Sequence, residues 1–323
     1  MNKYIDVNRL EFVITNYCTG SCKHCSIGEF DNKESIKPDI AVKIINDLVK
    51  NYTIDSIMTF GGEPLLHSDT VCKIHETAYK NNIQNRDIIT NGYFTKNHDT
   101  IDDVVKNICK SNVKRVLLSV DAFHQESIPI EPVIHFAKSI IDKGFKGLKT
   151  HPAWLVNKEH KNKFNEITKE ILMTFEQFGI ESSNGNNIIP AGNAAKYLSE
   201  YFHKPDIDSL FVPCGTLPYT GNINELDTIF VAPNGDVMNC YFSIGNVYKK
   251  NILDIIEEYD PYNDPHTKLI AEGGVKKLYD NLVKKGTKIN IDDCYTSCMV
   301  CKKIMNIIKE QKNKNDKNGK NST

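Results

Sequence analysis

The stretch Leu10-Glu11-Phe12-Val13-Ile14-Thr15-Asn16-Tyr17-Cys18-Thr19-Gly20-Ser21-Cys22-Lys23-His24-Cys25 decides how the chain is organised. Leu10–Thr15 is a short apolar and β-branched run, the pattern of a buried strand. Three cysteines follow at once, so thiols stand where a strand has just ended. Working outward, the same kind of run recurs at Ser56–Phe60, Asp87–Thr90, Arg115–Val120, Gly147–Val156 and Asn187–Ile189. Between these runs apolar residues return at helical spacing: Ile40 to Val49, Val71 to Ala78, Ile101 to Ile108, Val133 to Ile141 and Phe164 to Phe178. Pro38 suits a helix start and Gly144 a helix end. Six β–α alternations predict a parallel sheet, because each crossover helix returns the chain in the same direction. Six units are fewer than a closed barrel needs. The expected fold class is therefore α/β, a partial (β/α)6 TIM-type barrel with its ligand site at the C-terminal strand ends.

The pattern changes after about residue 205. Asp227–Val231 and Val237–Phe242 flank Pro233-Asn234-Gly235-Asp236, a hairpin signal. Helical stretches follow near 252–258 and 275–285, and another begins at Lys302. This predicts a barrel domain over 1–205, a small α+β domain over 206–310 and a disordered tail over 311–323, which holds nothing apolar.

Composition excludes several classes. The 323 residues carry 40 basic and 41 acidic side chains, a net charge of −1, without the basic excess of a nucleic-acid binder. No apolar run nears the ~20 residues that cross a bilayer, and the N-terminus lacks a signal-peptide core. The expectation is a cytoplasmic protein that binds neither nucleic acid nor membrane. Ten cysteines are then anomalous, since clustered thiols in a reducing compartment read as metal ligands or catalytic groups. Three lie at 18, 22 and 25 and five at 214, 240, 294, 298 and 301. Cys72 and Cys109 fall in helical patterns and read as core, and His67, His75 and His135 lack ligand spacing. Trp154 reads as core or as lining of the barrel mouth.

Cys18, Cys22 and Cys25 can hold three irons of a four-iron cluster and leave the fourth open. A structural zinc knot is the competing reading, with four ligands as its usual demand. After the second strand comes Gly61-Gly62-Glu63-Pro64, where glycines allow close approach of a ligand and a carboxylate can bind an ammonium. Thr90-Asn91-Gly92 and Ser119-Val120-Asp121 end the third and fourth strands.

A C-x3-C-x2-C triad after the first strand, followed by Gly-Gly-Glu-Pro after the second, resembles the radical S-adenosylmethionine (SAM) superfamily over roughly the first 200 residues. The resemblance implies a [4Fe-4S] cluster with an open iron at which SAM binds. One electron from the reduced cluster would break a C–S bond of SAM, giving methionine and a 5′-deoxyadenosyl radical that removes hydrogen from a substrate. It implies that Gly61, Gly62, Glu63 and Pro64 grip the methionyl amino group, that Asn91, Ser119 and Asp121 contact ribose and carboxylate, and that His24 packs near the adenine. Lys149 and His151 are weaker candidates of the same kind. Ile189, in Ile188-Ile189-Pro190-Ala191-Gly192-Asn193-Ala194, would also face the adenine, although the family often has arginine where Asn193 stands. A flavodoxin or ferredoxin would be the electron donor.

The C-terminal cysteines resemble the auxiliary-cluster domains called SPASM and twitch. Five cysteines, against seven in a full SPASM domain, fit a single second [4Fe-4S] cluster, with zinc as the alternative. Cys240, Cys298 and Cys301 are then ligands, and either Cys214 or Cys294 is surplus. A surplus thiol could return a hydrogen atom to a substrate radical or be an inert core residue. Asp121-Ala122-Phe123-His124 resembles a segment of peptide epimerases in the superfamily, so the expected substrate is a ribosomally made peptide, epimerised or crosslinked. No leader-binding domain is evident at the N-terminus, which leaves open a small molecule such as a sugar or nucleoside. A zinc-stabilised, non-enzymatic binding protein is the remote alternative.

Overall fold

The computed structural model describes residues 2–26, 28, 32–217 and 220–320, the last nine of these as backbone only. The chain forms an α/β fold around a mostly parallel sheet. Strand β1 (Ile5–Val13) is followed by helix α1 (Pro38–Leu48), β2 (Ser56–Phe60), α2 (Ser68–Lys80), β3 (Asn85–Thr90), α3 (His98–Lys110) and β4 (Arg115–Leu118). The short α4 (Ala122–Gln125), α5 (Ile130–Asp142), β5 (Leu148–Thr150), β6 (Ala153–Trp154), α6 (Lys163–Glu176), β7 (Asn186–Asn187) and α7 (Asn193–Tyr197) complete this part.

Local chemistry accounts for these elements. Pro38 opens α1, and Asn97 and Asn162 cap α3 and α6 by accepting the N–H groups of Thr100 and Asn165. The helices bury one apolar stripe each, for example Ile101, Val104, Val105 and Ile108 of α3. In β1 Leu10 and Phe12 are fully buried, each such side chain being worth roughly 1.5–3 kcal/mol.

Strands β1 to β5 lie side by side in sequence order and all run parallel. The fifth strand, expected to run unbroken over 147–156, is split by Pro152, which has no N–H to give a ladder. It resumes as β6, paired in parallel with β7, and a bridge from Thr150 to Ser182 joins the two parts. The sixth strand is thus only Asn186–Asn187, and the expected Ile188–Ile189 lie beyond it.

The hairpin departs from expectation in its position. It comprises β8 (Leu226–Val231) and β9 (Asp236–Asn239), extended by β10 (Phe242–Asn246). It does not stand apart: β8 pairs in parallel with β1, Leu10 opposite Ile229, giving one eight-stranded sheet in the order β10-β9-β8-β1-β2-β3-β4-β5. Its Leu226, Ile229, Val231 and Val237 share the main core with Leu10 and Phe12. So do Ile252, Ile255 and Ile256 of α9 (Ile252–Glu257).

A second core lies farther along the chain. It joins Leu210 of α8 (Ile207–Leu210) with Val275, Leu278 and Leu282 of α10 (Pro265–Lys284) and with Val300 and Ile304 of α11 (Ser297–Lys320). Helix α10 is kinked at Gly273–Gly274, and Gly274 has φ 71°. Where a disordered tail was expected from 311, α11 continues as helical backbone to Lys320, while 321–323 lie outside the described residues. Among the described residues no helix is long and apolar enough to cross a membrane.

Candidate active site

Because β1 to β5 are parallel, their C-terminal ends come to one edge of the sheet, and the sequence motifs follow those ends. The cysteine loop leaves β1 and is held from three sides. Thr15 and Tyr17 carbonyls accept the N–H groups of Gly62 (2.8 Å) and Glu63 (2.9 Å). The Ser127 hydroxyl accepts from the Ser21 N–H at 3.0 Å, and Lys23 pairs with Glu126 at 3.1 Å. Asn193 donates its backbone N–H to the Cys25 carbonyl (2.9 Å) and its side-chain amide to the Cys22 carbonyl (3.2 Å).

The glycines are sterically required. A Cβ on Gly62 would lie 2.1 Å from the Tyr17 carbonyl oxygen. One on Gly61, which has φ 141°, would lie 2.4 Å from that of Thr15. Gly62→Ala is therefore expected to push the cysteine loop away and to lower the iron retained after anaerobic reconstitution, read by iron analysis. Iron retention equal to wild type would contradict this packing.

Glu63 is fully buried and caps the 3-10 turn begun by the buried Pro64. Its Oε1 accepts from Leu65 N–H (2.9 Å) and the Thr90 hydroxyl (2.7 Å), and its Oε2 from Asn91 N–H (2.9 Å). Burial pushes its pKa up to about 7, against the opposing pull of those hydrogen bonds. The Asn91 side chain donates towards Cys18 Sγ (3.5 Å) and Thr19 Oγ1 (3.3 Å), so the third strand end touches the cysteine loop. Ser119 is buried at the end of β4, its N–H on the Thr90 carbonyl at 2.8 Å. Ile189 is 37% exposed, four residues before Asn193.

The Asp121 carboxylate is saturated by protein donors. Oδ1 accepts from the N–H groups of Phe123 (2.9 Å) and His124 (3.0 Å). Oδ2 accepts from His124 Nδ1 (2.7 Å) and the Ala153 N–H (2.9 Å). Burial works to raise its pKa, but His124 and the other donors outweigh it and hold the group well below the carboxylate range. His24 packs edge-on against His124, with ring centroids 4.7 Å apart, and at 5.3 Å from Phe123. Burial and the neighbouring His124 lower the His24 pKa to about 4.

Among the described residues His24, Asp121 and His124 are the one group of three such donors within 4.8 Å of one another. They do not suit a metal ion, since Asp121 has no free lone pair and His124 spends Nδ1 on it. Among the described residues no three of the thiols lie within 4.8 Å of one another.

The donor set suits a cluster. Cys18, Cys22 and Cys25 are free, and Cys22 is buried. Burial pushes Cys18 up to about 11 and Cys22 higher, so loading a cluster would release protons from neutral thiols. One feature of the cysteine loop suits a ligand such as SAM: His24 Nδ1 is buried with no hydrogen-bond partner among the described residues. His151, on the loop after β5, bonds Ser183 Oγ at 2.8 Å, and Lys149 is paired with Glu181 at 2.9 Å. Sequence reasoning missed the clamp made by Asn193. Gly192, at φ 55°, was its one signal, since a Cβ there would meet the Ser26 carbonyl at 2.4 Å.

In the C-terminal group the five thiols separate. Cys214, Cys298 and Cys240 all lie close enough to Cys301 to raise its pKa, and Cys240 acts likewise on Cys214 and Cys298, although burial is the larger cause in each. Cys294 is buried too, but its charged neighbours are Lys303, Asp293 and Lys204. Cys240 has φ 51° in the two-residue turn between the paired Asn239 and Phe242. A left-handed non-glycine residue is costly, and such strain gathers at functional sites.

The comparisons with known proteins agree with this geometry. The family model described as the radical SAM superfamily matches residues 12–173. A protein of Saccharolobus islandicus named "Probable GTP 3′,8-cyclase" is 26% identical over 283 residues, covering 77% of this chain and 86% of its own. The GTP 3′,8-cyclase of Clostridium botulinum is 23% identical over 176 residues, 51% of this chain and 53% of its own. Among solved structures, Streptococcus suis SuiB bound to precursor peptide SuiA aligns with a TM-score of 0.51 at 15% identity, covering 92% of this chain and 76% of that one. The thiols behind β1, the glycine-lined loop behind β2 and the family match meet on the same residues, and the chain belongs to the radical SAM superfamily.

Proposed function

We propose that this enzyme cleaves SAM reductively at a [4Fe-4S] cluster held by Cys18, Cys22 and Cys25 and removes hydrogen from a ribosomally made peptide. The cluster and SAM, when bound, supply the 5′-deoxyadenosyl radical; the protein binds, orients and excludes water. In this reading β1 to β4, the split strand β5–β6 and β7 are the six strands of a partial TIM-type barrel. Residues 206–310 carry an auxiliary [4Fe-4S] cluster of the twitch kind, and a flavodoxin or ferredoxin delivers the electron.

The observation that supports the auxiliary cluster is the closeness of Cys214, Cys240, Cys298 and Cys301, a complete set of four thiolates. Cys294 is then the spare thiol and the candidate hydrogen donor, and Cys214 a ligand. Cys294→Ala is expected to keep the auxiliary iron, whereas Cys301→Ala loses it. Iron and sulfide analysis of the two variants decides, and loss of iron from Cys294→Ala would remove the spare thiol.

The peptide reading is supported by the Asp121-Ala122-Phe123-His124 segment, which resembles peptide epimerases. The relatives named for GTP favour a second reading, a nucleotide substrate. Against it, Lys23 of the cysteine loop and Lys149 of β5 are already in ion pairs with Glu126 and Glu181, and a triphosphate would have to compete for them. The test incubates reduced enzyme and SAM with GTP or with peptides encoded beside its gene. A mass change in a peptide supports the first reading, and turnover of GTP alone overturns it.

A further inference from the structure

We propose that His124 is a binding residue for SAM, its Nε2 accepting a hydrogen bond from an O–H or N–H of that molecule, and that Asp121 is a positioning residue acting through it. This rests on the radical SAM reading of the cleft and deepens it.

Three observations lead here. The first is that Asp121, at a strand end where a ligand contact is expected, has no acceptor left to offer. Four protein donors fill it, one of them the Ala153 N–H from the neighbouring strand. The second is the imidazole it holds. With Nδ1 donating to Asp121 at 2.7 Å, the remaining nitrogen of His124 is Nε2, an acceptor in that tautomer. Among the described residues Nε2 has no protein partner, and it is not a buried atom left unsatisfied. The Asp121 side chain caps α4 and the Gln125 side chain accepts from the Asp121 N–H at 2.9 Å, so the carboxylate that holds Nδ1 is itself held in place.

The third observation is location. His124 lies against His24 of the cysteine loop, whose Nδ1 is itself buried and unpartnered. Glu63 behind β2 and His151 behind β5 also lie within electrostatic range of this ring. A molecule lying between the cysteine loop and Glu63 therefore borders this ring. A spent carboxylate has been exchanged for the free nitrogen of the histidine it orients.

The test is equilibrium binding of SAM to the reconstituted, cluster-loaded protein and its variants, with iron content and circular dichroism beside it. His124→Phe keeps an aromatic ring against His24 and removes the acceptor; SAM binding should weaken about tenfold with iron unchanged. His124→Gln, which keeps an acceptor oxygen, should recover part of the loss. Asp121→Asn should weaken binding as well, and 15N spectra should show that the His124 ring no longer holds a single tautomer. Wild-type SAM affinity in His124→Phe overturns the proposal, as does loss of iron in that variant, which would make the ring a support of the cysteine loop. Failure of the wild-type protein itself to bind SAM would overturn this proposal together with the reading it rests on.

Discussion

Replacing Cys18, Cys22 and Cys25 together with alanine is expected to abolish SAM cleavage while the auxiliary iron stays in place. The loop carrying them is tied to the rest of the molecule by its backbone, through the carbonyls of Thr15, Tyr17, Cys22 and Cys25, and those bonds survive removal of the sulfurs. Cys301 lies in the second core, built with α10 and α11, and Cys214 packs against it. Iron analysis should therefore fall by one cluster, and 5′-deoxyadenosine should drop to background. Loss of both clusters' iron would mean that the two cores fold as a single unit, and retained cleavage would refute the assignment of the triad.

The second large effect belongs to Glu63. Its ordinary pKa of 4.5 is raised to about 7 in the fold. A raised pKa means the folded protein binds the proton more tightly than the unfolded chain, so this group's stabilisation is complete below 4.5 and lost as pH rises through 7. In SAM-free protein the loss is about 3 kcal/mol across that window, at 1.36 kcal/mol for each pH unit. SAM reverses the preference, because its ammonium favours the carboxylate. SAM affinity should rise with pH up to about 7 and level off above it. Glu63→Gln should bind SAM more weakly by roughly 1.5–3 kcal/mol, the worth of a hydrogen bond to a charged group, and lose that pH dependence. Titrations from pH 6 to 8 check both, and an unchanged affinity or an unchanged slope in the variant would count against the role.

Much of the fold was legible because its signals are local. The strand Ser56–Phe60 is found where its apolar run places it, and the helices over 38–48, 98–110 and 163–176 follow their spacing and caps. What was not legible depends on distance in sequence. Nothing near Leu226 announces that β8 lies parallel to β1, some two hundred residues away, and so the hairpin was read as part of a separate domain. Pro152 was visible, yet the strand pattern ran straight through it.

The same distinction holds at the site. The cysteine triad and Gly61-Gly62-Glu63 announce themselves by residue type and position. That Asp121 is filled could not be read, since one of its four donors comes from Ala153 on another strand. Spacing alone also does not separate Cys294, which stands to Cys298 and Cys301 as Cys18 stands to Cys22 and Cys25, from its fellow thiols; its charged neighbours are Lys303, Asp293 and Lys204.

The central claim is that the thiols behind β1 serve SAM chemistry. Its most direct test is anaerobic reconstitution of the full chain with iron and sulfide, reduction, addition of SAM and measurement of the products. The account predicts a coloured protein that forms 5′-deoxyadenosine and methionine in equal amounts. A colourless protein that holds only zinc and leaves SAM intact would contradict it.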